Sequence, residues 1–390
     1  MTNSQHPRPN TQHPVRVAVI GLGAMGRNHV KTYADLAGAE LVAVADSNPV
    51  TVEGATRGRA VRGYTDFREL LANEKVAAVS VVVPTTLHAE VAGAALAAGV
   101  HVLVEKPIAG TIEDGEWLVE RARAVDRILT VGHIERYNPA IVELKRRVQA
   151  GELGKVFQIQ ARRTGPFPDR IRDVGVVIDL ATHDLDVMRY VLGSEIERVY
   201  AETARRIHTA HEDLVSGLIR FTSGAIGHFD VNWLTPTKIR ELTVTGERGM
   251  FVANYLTQEL SFYANNHLQT SWEALDTLTG VSEGDMTRYS IQRKEPLRAE
   301  LEAFVAAVAA WDGERSGRRD GGMAGRGEGA TGRPARSTTL PAGNDYTSSG
   351  LVAAEDGLEA LRLAQLVIES GRRHQVIAAA VPKLATQPTH

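Results

Sequence analysis

The chain has no cysteine, so disulfide staples and thiolate zinc sites are excluded at the outset. Neither sign of charge dominates: 44 Lys and Arg against 47 Asp and Glu give a formal net charge of −3, which leaves no basic footprint for nucleic acid. Long hydrophobic runs are missing too. The most apolar stretches, such as Val76–Val83 and Phe304–Trp311, are far too short to span a bilayer, so no membrane partner is expected. Residues 1–14 are polar and rich in Pro, His and Asn, without an apolar core or twin arginine, so a disordered tail and a cytoplasmic location are expected. What remains is a chain of 390 residues, 43% hydrophobic and 23% charged, long enough for two domains with proper cores.

The first of these reads as α/β. Val15–Ile20, Leu41–Ala45, Val79–Val83, Val100–Val104 and Ile128–Val131 are short, nearly all-apolar runs. They alternate with helical stretches, among them Ala89–Ala98, closed by Gly99, and 113–124. Strands apolar throughout are buried on both faces, which implies a doubly wound parallel sheet over residues 15–133. After Pro139, which opens a helix over 139–150, the pattern changes. Val156–Arg163, Ile196–Thr203, Leu214–Phe221, Ala225–Trp233, Ile239–Gly246 and Gly249–Asn254 alternate apolar with polar, the third and fourth joined as a hairpin by Thr222-Ser223-Gly224. A second α/β domain over 134–311 is expected, with an open, mostly antiparallel sheet covered by helices on one face. Residues 312–350 are crowded with Gly, Arg, Ser and Pro and read as a disordered insertion, followed by a helix within 351–372 and a tail over 373–390.

The segment Gly21-Leu22-Gly23-Ala24-Met25-Gly26 lies between a strand and a helix, the setting in which a G-x-G-x-x-G pattern binds a dinucleotide. Gly21 allows the tight turn, Gly23 lets backbone approach a pyrophosphate, and Gly26 lets the helix pack closely. Asp46 ends the next strand at the spacing expected of an acid that binds the adenosine ribose hydroxyls. Its charge would repel a 2′-phosphate, and no arginine follows in 47–50, so NAD is favoured over NADP. At the end of the fourth strand, Glu105-Lys106-Pro107 places an ammonium at the sheet edge where ligands bind. In Asp179-Leu-Ala-Thr-His183-Asp-Leu-Asp186, helical spacing puts Asp179, His183 and Asp186 on one stripe, away from Ala181, Leu185, Met188 and Leu192. That stripe reads either as a solvated polar face or as a carboxylate–imidazole pair able to take an alcohol proton. A metal site is not expected, since His183 lacks a second histidine at helical spacing. Lys106 would stabilise negative charge on the reacting oxygen; the residues do not distinguish whether Lys106 or His183 is the formal base.

Together with Pro84-Thr85-Thr-Leu-His88, these segments resemble the Gfo/Idh/MocA oxidoreductases, over roughly 15–310 and 351–372. The resemblance implies a Rossmann domain followed by an open-sheet α/β domain that pairs copies into a homodimer or homotetramer, with the last helix returning to the Rossmann domain. It implies Lys106, Asp179 and His183 as catalytic residues, and Pro84, Thr85, His88 and Glu105 beside the cofactor. His88 reads equally as a helix-start histidine. A closer likeness, to the UDP-N-acetylglucosamine 3-dehydrogenases, lies in Gly132-His-Ile-Glu-Arg136-Tyr137-Asn138-Pro139 and in Arg163-Thr-Gly-Pro-Phe-Pro-Asp-Arg170 with the segment that follows. It implies oxidation of a nucleotide-sugar C3 hydroxyl, with Arg136, Tyr137 and Asn138 at the substrate. Arg163, Arg170 and Arg172 are either solvated loop charges or a clamp on a diphosphate. An inositol or free-sugar dehydrogenase, a redox-assisted glycosidase and a dinucleotide-binding sensor are the alternative readings.

Overall fold

A computed structural model of the chain describes residues 14–168, 174–208, 210–268, 280–320 and 350–379. The chain divides into two compact units, Met1–Gly132 with Leu297–Leu358, and His133–Pro296 with Glu359–His390.

The first unit alternates strand and helix: β1 (Val15–Ile20), α1 (Ala24–Ala34), β2 (Ala39–Ala45), α2 (Pro49–Thr56), β3 (Arg62–Tyr64), α3 (Phe67–Asn73), β4 (Ala78–Val81), α4 (His88–Ala97), β5 (His101–Glu105), α5 (Ile112–Ala124) and β6 (Leu129–Gly132). The six strands form one parallel sheet in the order β3-β2-β1-β4-β5-β6. Val17, Val19, Val79, Val81, Val102 and Val104 are wholly buried. Each such side chain contributes about 1.5–3 kcal/mol, and their nearly all-apolar strands are those of a sheet covered on both faces. The order reverses between β1 and β4, the switch point at which ligands enter doubly wound sheets.

The second unit holds α6 (Pro139–Gln149), β7 (Val156–Pro166), α7 (Thr182–Leu192), β8 (Ile196–Ala204), β9 (Leu214–Phe221), β10 (Ile226–Asn232), β11 (Leu234–Gly246), β12 (Gly249–Asn254), β13 (Glu259–Leu268) and β14 (Gly280–Tyr289). Then come α8 (Pro296–Asp320), α9 (Ala354–Arg373) and β15 (Ile377–Ala378). The nine-stranded sheet runs β14-β13-β12-β11-β7-β10-β9-β8-β15 and is antiparallel except where β7 meets β10. Its core packs Ile159, Val215, Phe229, Leu242 and Phe251 against Leu144, Leu185 and Met188 of α6 and α7. Gly227 lets α7 come close, since a Cβ there would lie 2.9 Å from the terminal methyl of Met188. On the opposite face Leu218 and Ile226 are 52% and 45% exposed.

Several boundaries differ from those read in the sequence. β13 and β14 were not anticipated, because Glu259-Leu-Ser-Phe-Tyr-Ala-Asn-Asn mixes apolar and polar residues without a clean period. From Leu297 onward α8 groups with the first unit, not the second, and it continues to Asp320, into the stretch read as insertion. The last helix does not simply return to the Rossmann unit. Its first turn groups there, but Leu363, Ala364 and Val367 are buried in the core of the second unit. The tail begins with an edge strand, β15, paired to β8. Residues 1–13, 321–349 and 380–390 lie outside the described residues.

Candidate active site

In the first unit the glycine turn is shaped from both sides. Gly21 has φ +95°, and a Cβ on it would sit 2.5 Å from the carbonyl of Val82; at Gly26 a Cβ would meet Gly21 O at 1.9 Å. Both glycines are required by the protein's own packing. Gly23 is different, because a Cβ there would meet nothing within 4 Å, and no side chain caps the helix that it opens. No acid stands in the first turn of α1, so no side chain of that turn offsets its leading N–H groups and positive dipole end. That cradle fits the pyrophosphate of a dinucleotide. Asp46 accepts from Leu22 N at 2.7 Å and from Asn48 N at 2.9 Å. The carboxylate is thereby oriented at the loop, with lone pairs left for ribose hydroxyls. Ala24 and Met25 form the first turn of α1, and Pro84 and Thr85 begin a 3-10 turn, Thr85–Leu87, beyond β4.

Glu105 closes β5 almost fully buried. Its Oε1 is 3.0 Å from His29 Nε2, and its Oε2 accepts from Lys106 N at 3.3 Å. Gly132 makes the room, since a Cβ there would crowd the carboxyl at 3.0 Å. Burial pushes the Glu105 carboxyl up, but the hydrogen bond and charge of His29, with Lys106, outweigh it and leave the group below the usual range. Lys106 itself is half-buried, and its peptide bond to Pro107 is cis. His88 is held by main-chain oxygens on both ring nitrogens. Its ring is 1% exposed, with Nδ1 2.8 Å from Pro107 O and Nε2 2.9 Å from Val83 O, so it braces the loops that flank the sheet edge.

In the second unit Asp179 lies in a π-helical turn, Val177–Ala181, that runs into α7. The wide turn alters the spacing assumed for the stripe, and the stripe is not solvated. Asp179 is half-buried, His183 is 9% exposed and Asp186 is fully buried. The imidazole of His183 lies edge-on to that of His133, 6.5 Å between centroids. Asp186 is held by Arg136, whose Nε donates at 2.7 Å; burial raises this carboxyl, yet Arg136 and His133 bring it below its ordinary value. Asp184, beside His183, accepts from Arg163 Nε at 2.8 Å, while Arg163 Nη1 donates to Glu135 at 2.7 Å. Desolvation works against the Arg163 charge, but Asp184 and Glu135 hold the guanidinium more firmly protonated than usual.

These contacts give partners within the protein to several of the residues read as substrate-binding. Arg136 and Arg163 are interior ion-pair partners, because a buried guanidinium is stable only with its carboxylate. Asn138 caps α6 through Ala140 N at 3.1 Å and donates to Tyr255 O at 3.0 Å. Tyr137 sits on the same short 3-10 segment, Ile134–Tyr137. Arg170 and Arg172 lie outside the described residues. The sequence reading passed over Glu135, Asp184 and His133, which hold α7 in place, and His29, which holds Glu105. Charged residues flanking a catalytic candidate within its own motifs were the available signal for the first three.

Comparison with known proteins follows the same division. The pattern described as oxidoreductase family, NAD-binding Rossmann fold, matches residues 15–133, and the GFO/IDH/MocA C-terminal domain matches residues 141–252. UDP-N-acetylglucosamine 3-dehydrogenase of Acidithiobacillus ferrooxidans is 30% identical over 296 residues, 76% of this chain and 89% of that protein. scyllo-Inositol 2-dehydrogenase (NAD(+)) of Bacillus subtilis is 30% identical over 263 residues, 64% and 77% of the respective chains. A solved structure of the Acidithiobacillus enzyme superposes with a TM-score of 0.72 at 26% identity, covering 92% of this chain and 98% of its own.

Proposed function

The chain belongs to the GFO/IDH/MocA oxidoreductase family of NAD-dependent sugar and polyol dehydrogenases, and on that premise we propose that it oxidises the C3 hydroxyl of a nucleotide sugar such as UDP-N-acetylglucosamine to the 3-keto sugar. What supports this reading is that the 3-dehydrogenase of Acidithiobacillus is similar both in sequence, 30% identical over 89% of its length, and in solved structure, over 98% of its chain.

NAD, when bound, supplies the acceptor for the hydride that leaves carbon. The chain's own residues then have separate tasks. Gly23 and the open N-terminus of α1 receive the pyrophosphate, and Asp46 receives the ribose. Lys106 donates a hydrogen bond to the substrate oxygen and steadies the negative charge that develops on it. The hydroxyl proton passes to His183 or to Lys106, and Asp179 orients the imidazole. His29 and Lys106 keep Glu105 ionised at the end of β5. A second copy of the chain covers the open sheet face at Leu218 and Ile226, so Leu218→Glu shifts the protein toward monomer in light scattering.

The test is a panel of UDP-sugars and cyclitols incubated with NAD and followed at the NADH absorbance band, with NMR of the product. Formation of the 3-keto sugar from UDP-N-acetylglucosamine supports the proposal. Turnover of myo- or scyllo-inositol with none of the nucleotide sugar overturns it in favour of a polyol dehydrogenase, the activity named for several relatives. Release of a chromogenic aglycone without net NADH points to glycosidic cleavage instead.

A further inference from the structure

The connection between β8 and β9 is built in a way that the dehydrogenase chemistry does not require. One buried carboxylate, Asp213, accepts the main-chain N–H groups of Arg206 at 2.8 Å, Ile207 at 2.5 Å and His208 at 2.9 Å. The Nδ1 of His208 accepts from Ala210 N and His211 N at 3.1 and 3.0 Å. The described residues of the loop are therefore organised by bonds of their own. Four rings gather on it. His208 lies stacked on Trp233, 6.5 Å between centroids at 29°, while Phe167 stands 5.9 Å from His208 and 5.6 Å from Trp233. His211 is 5.2 Å from His208. Trp233 is buried and serves as backing, whereas Phe167, His208 and His211 are only half-buried.

Arg205 and Arg206 precede His208 on the same loop. Both are exposed, and among the described residues neither guanidinium makes a hydrogen bond or ion pair. Elsewhere in this unit Arg136 and Arg163 are spent on carboxylates, so these two contrast with them. The loop is also tied to the catalytic turn. Glu212, between His211 and Asp213, accepts Val176 N on its main-chain oxygen at 2.9 Å and Val177 N on its carboxylate at 3.2 Å, just ahead of Asp179.

We propose that this loop is a nucleoside-diphosphate subsite, with the base stacked on His208 and Phe167 and the diphosphate paired to Arg205 and Arg206. The proposal deepens the nucleotide-sugar reading and rests on it. Flat π faces suit a base without reading its identity, and guanidinium forks suit phosphate oxygens. A free polyol has neither group, so its turnover should not depend on these side chains.

The probe is UDP, titrated by calorimetry into the full chain saturated with NAD so that the dinucleotide site is filled. Three variants are compared with wild type: His208→Asn, which keeps an acceptor near the position of Nδ1; Phe167→Leu; and the pair Arg205→Ala with Arg206→Ala. UDP binds wild type, and each variant weakens it about tenfold with the melting temperature unchanged. Absence of UDP binding, or equal binding by all three variants, overturns the subsite. Kinetics separate the two claims. If UDP binds as described but UDP-N-acetylglucosamine is not oxidised, the 3-dehydrogenase reading fails and the subsite stands. If the sugar is oxidised with the same KM in all variants, the subsite fails and the reading stands; the expected result is a raised KM with kcat within about twofold.

Discussion

In the first unit the groups offered to a ligand are largely main-chain: the N–H groups opening α1 and the space in front of Gly23. In the second unit the conspicuous groups are side chains, and most are already occupied, Arg163 by Asp184 and Glu135 and Arg136 by Asp186. A backbone cradle can be read as a ligand site because its packing has no other use for the space. A buried arginine such as Arg163 has an internal use, which is to lock α7 to the sheet. Proximity to chemistry is thus a poor guide to which charges meet substrate, and freedom from an internal partner is a better one.

The comparison breaks most sharply at the reacting groups. Lys106→Ala and His183→Ala should each lower kcat by about a thousandfold, within the range of lost acid–base catalysis, while fluorescence titration shows NAD binding unchanged. Either variant at full activity removes that residue from the mechanism. Next in size is the interior ion pair. Arg163→Met alone strands Asp184 and should cost about 3–5 kcal/mol in denaturant unfolding, with Asp184→Leu added recovering much of it. Were Arg163→Met to fold normally and lose only substrate affinity, Arg163 would be a ligand residue after all. Smaller still is the pair of glycines. Gly23→Ala should raise the KM for NAD about tenfold and leave the melting temperature alone, because its Cβ enters ligand space. Gly26→Ala should instead cost about 1–3 kcal/mol, since its Cβ collides with Gly21 O.

The same contrast explains what could be read without a structure. β1, β2, β4, β5 and β6 were legible because a strand buried on both faces has a distinctive composition, and the glycine turn because its spacing is dictated by phosphate and helix geometry. Of the two readings of the stripe on α7, the solvated polar face does not hold. Helical spacing assumes uniform turns and a solvated polar side, but the π-helical turn widens the spacing and Asp184 and Asp186 face buried arginines. Periodicity carries no information about which polar residues will be neutralised by partners distant in the chain. α8 shows the limit plainly: Glu300, an acid on that helix, is 1% exposed.

Glu300 also gives the finest test, inside the first unit and against Glu105. Both its carboxyl oxygens are buried without a hydrogen-bond partner. Burial first, and then the charge of Glu105, raises it well above the carboxylate range, while Glu105 is lowered by His29 and Lys106 in spite of its own burial. The two shifts have opposite consequences for stability. For Glu300 the folded chain holds the proton more tightly, so its contribution is intact below the unfolded value near 4.3 and is lost as pH rises from there through the raised folded value. For Glu105 the contribution is present above the unfolded value and is lost as pH falls through the depressed one. Glu300→Gln replaces the neutral acid with a neutral amide, so unfolding free energies measured from about pH 5 to 8 should lose a downward slope approaching 1.4 kcal/mol per pH unit. The variant should therefore gain on wild type as pH rises. Parallel stability curves for the two proteins would mean that Glu300 is ionised in the folded chain, and that α8 carries a charge against Glu105 instead of a proton.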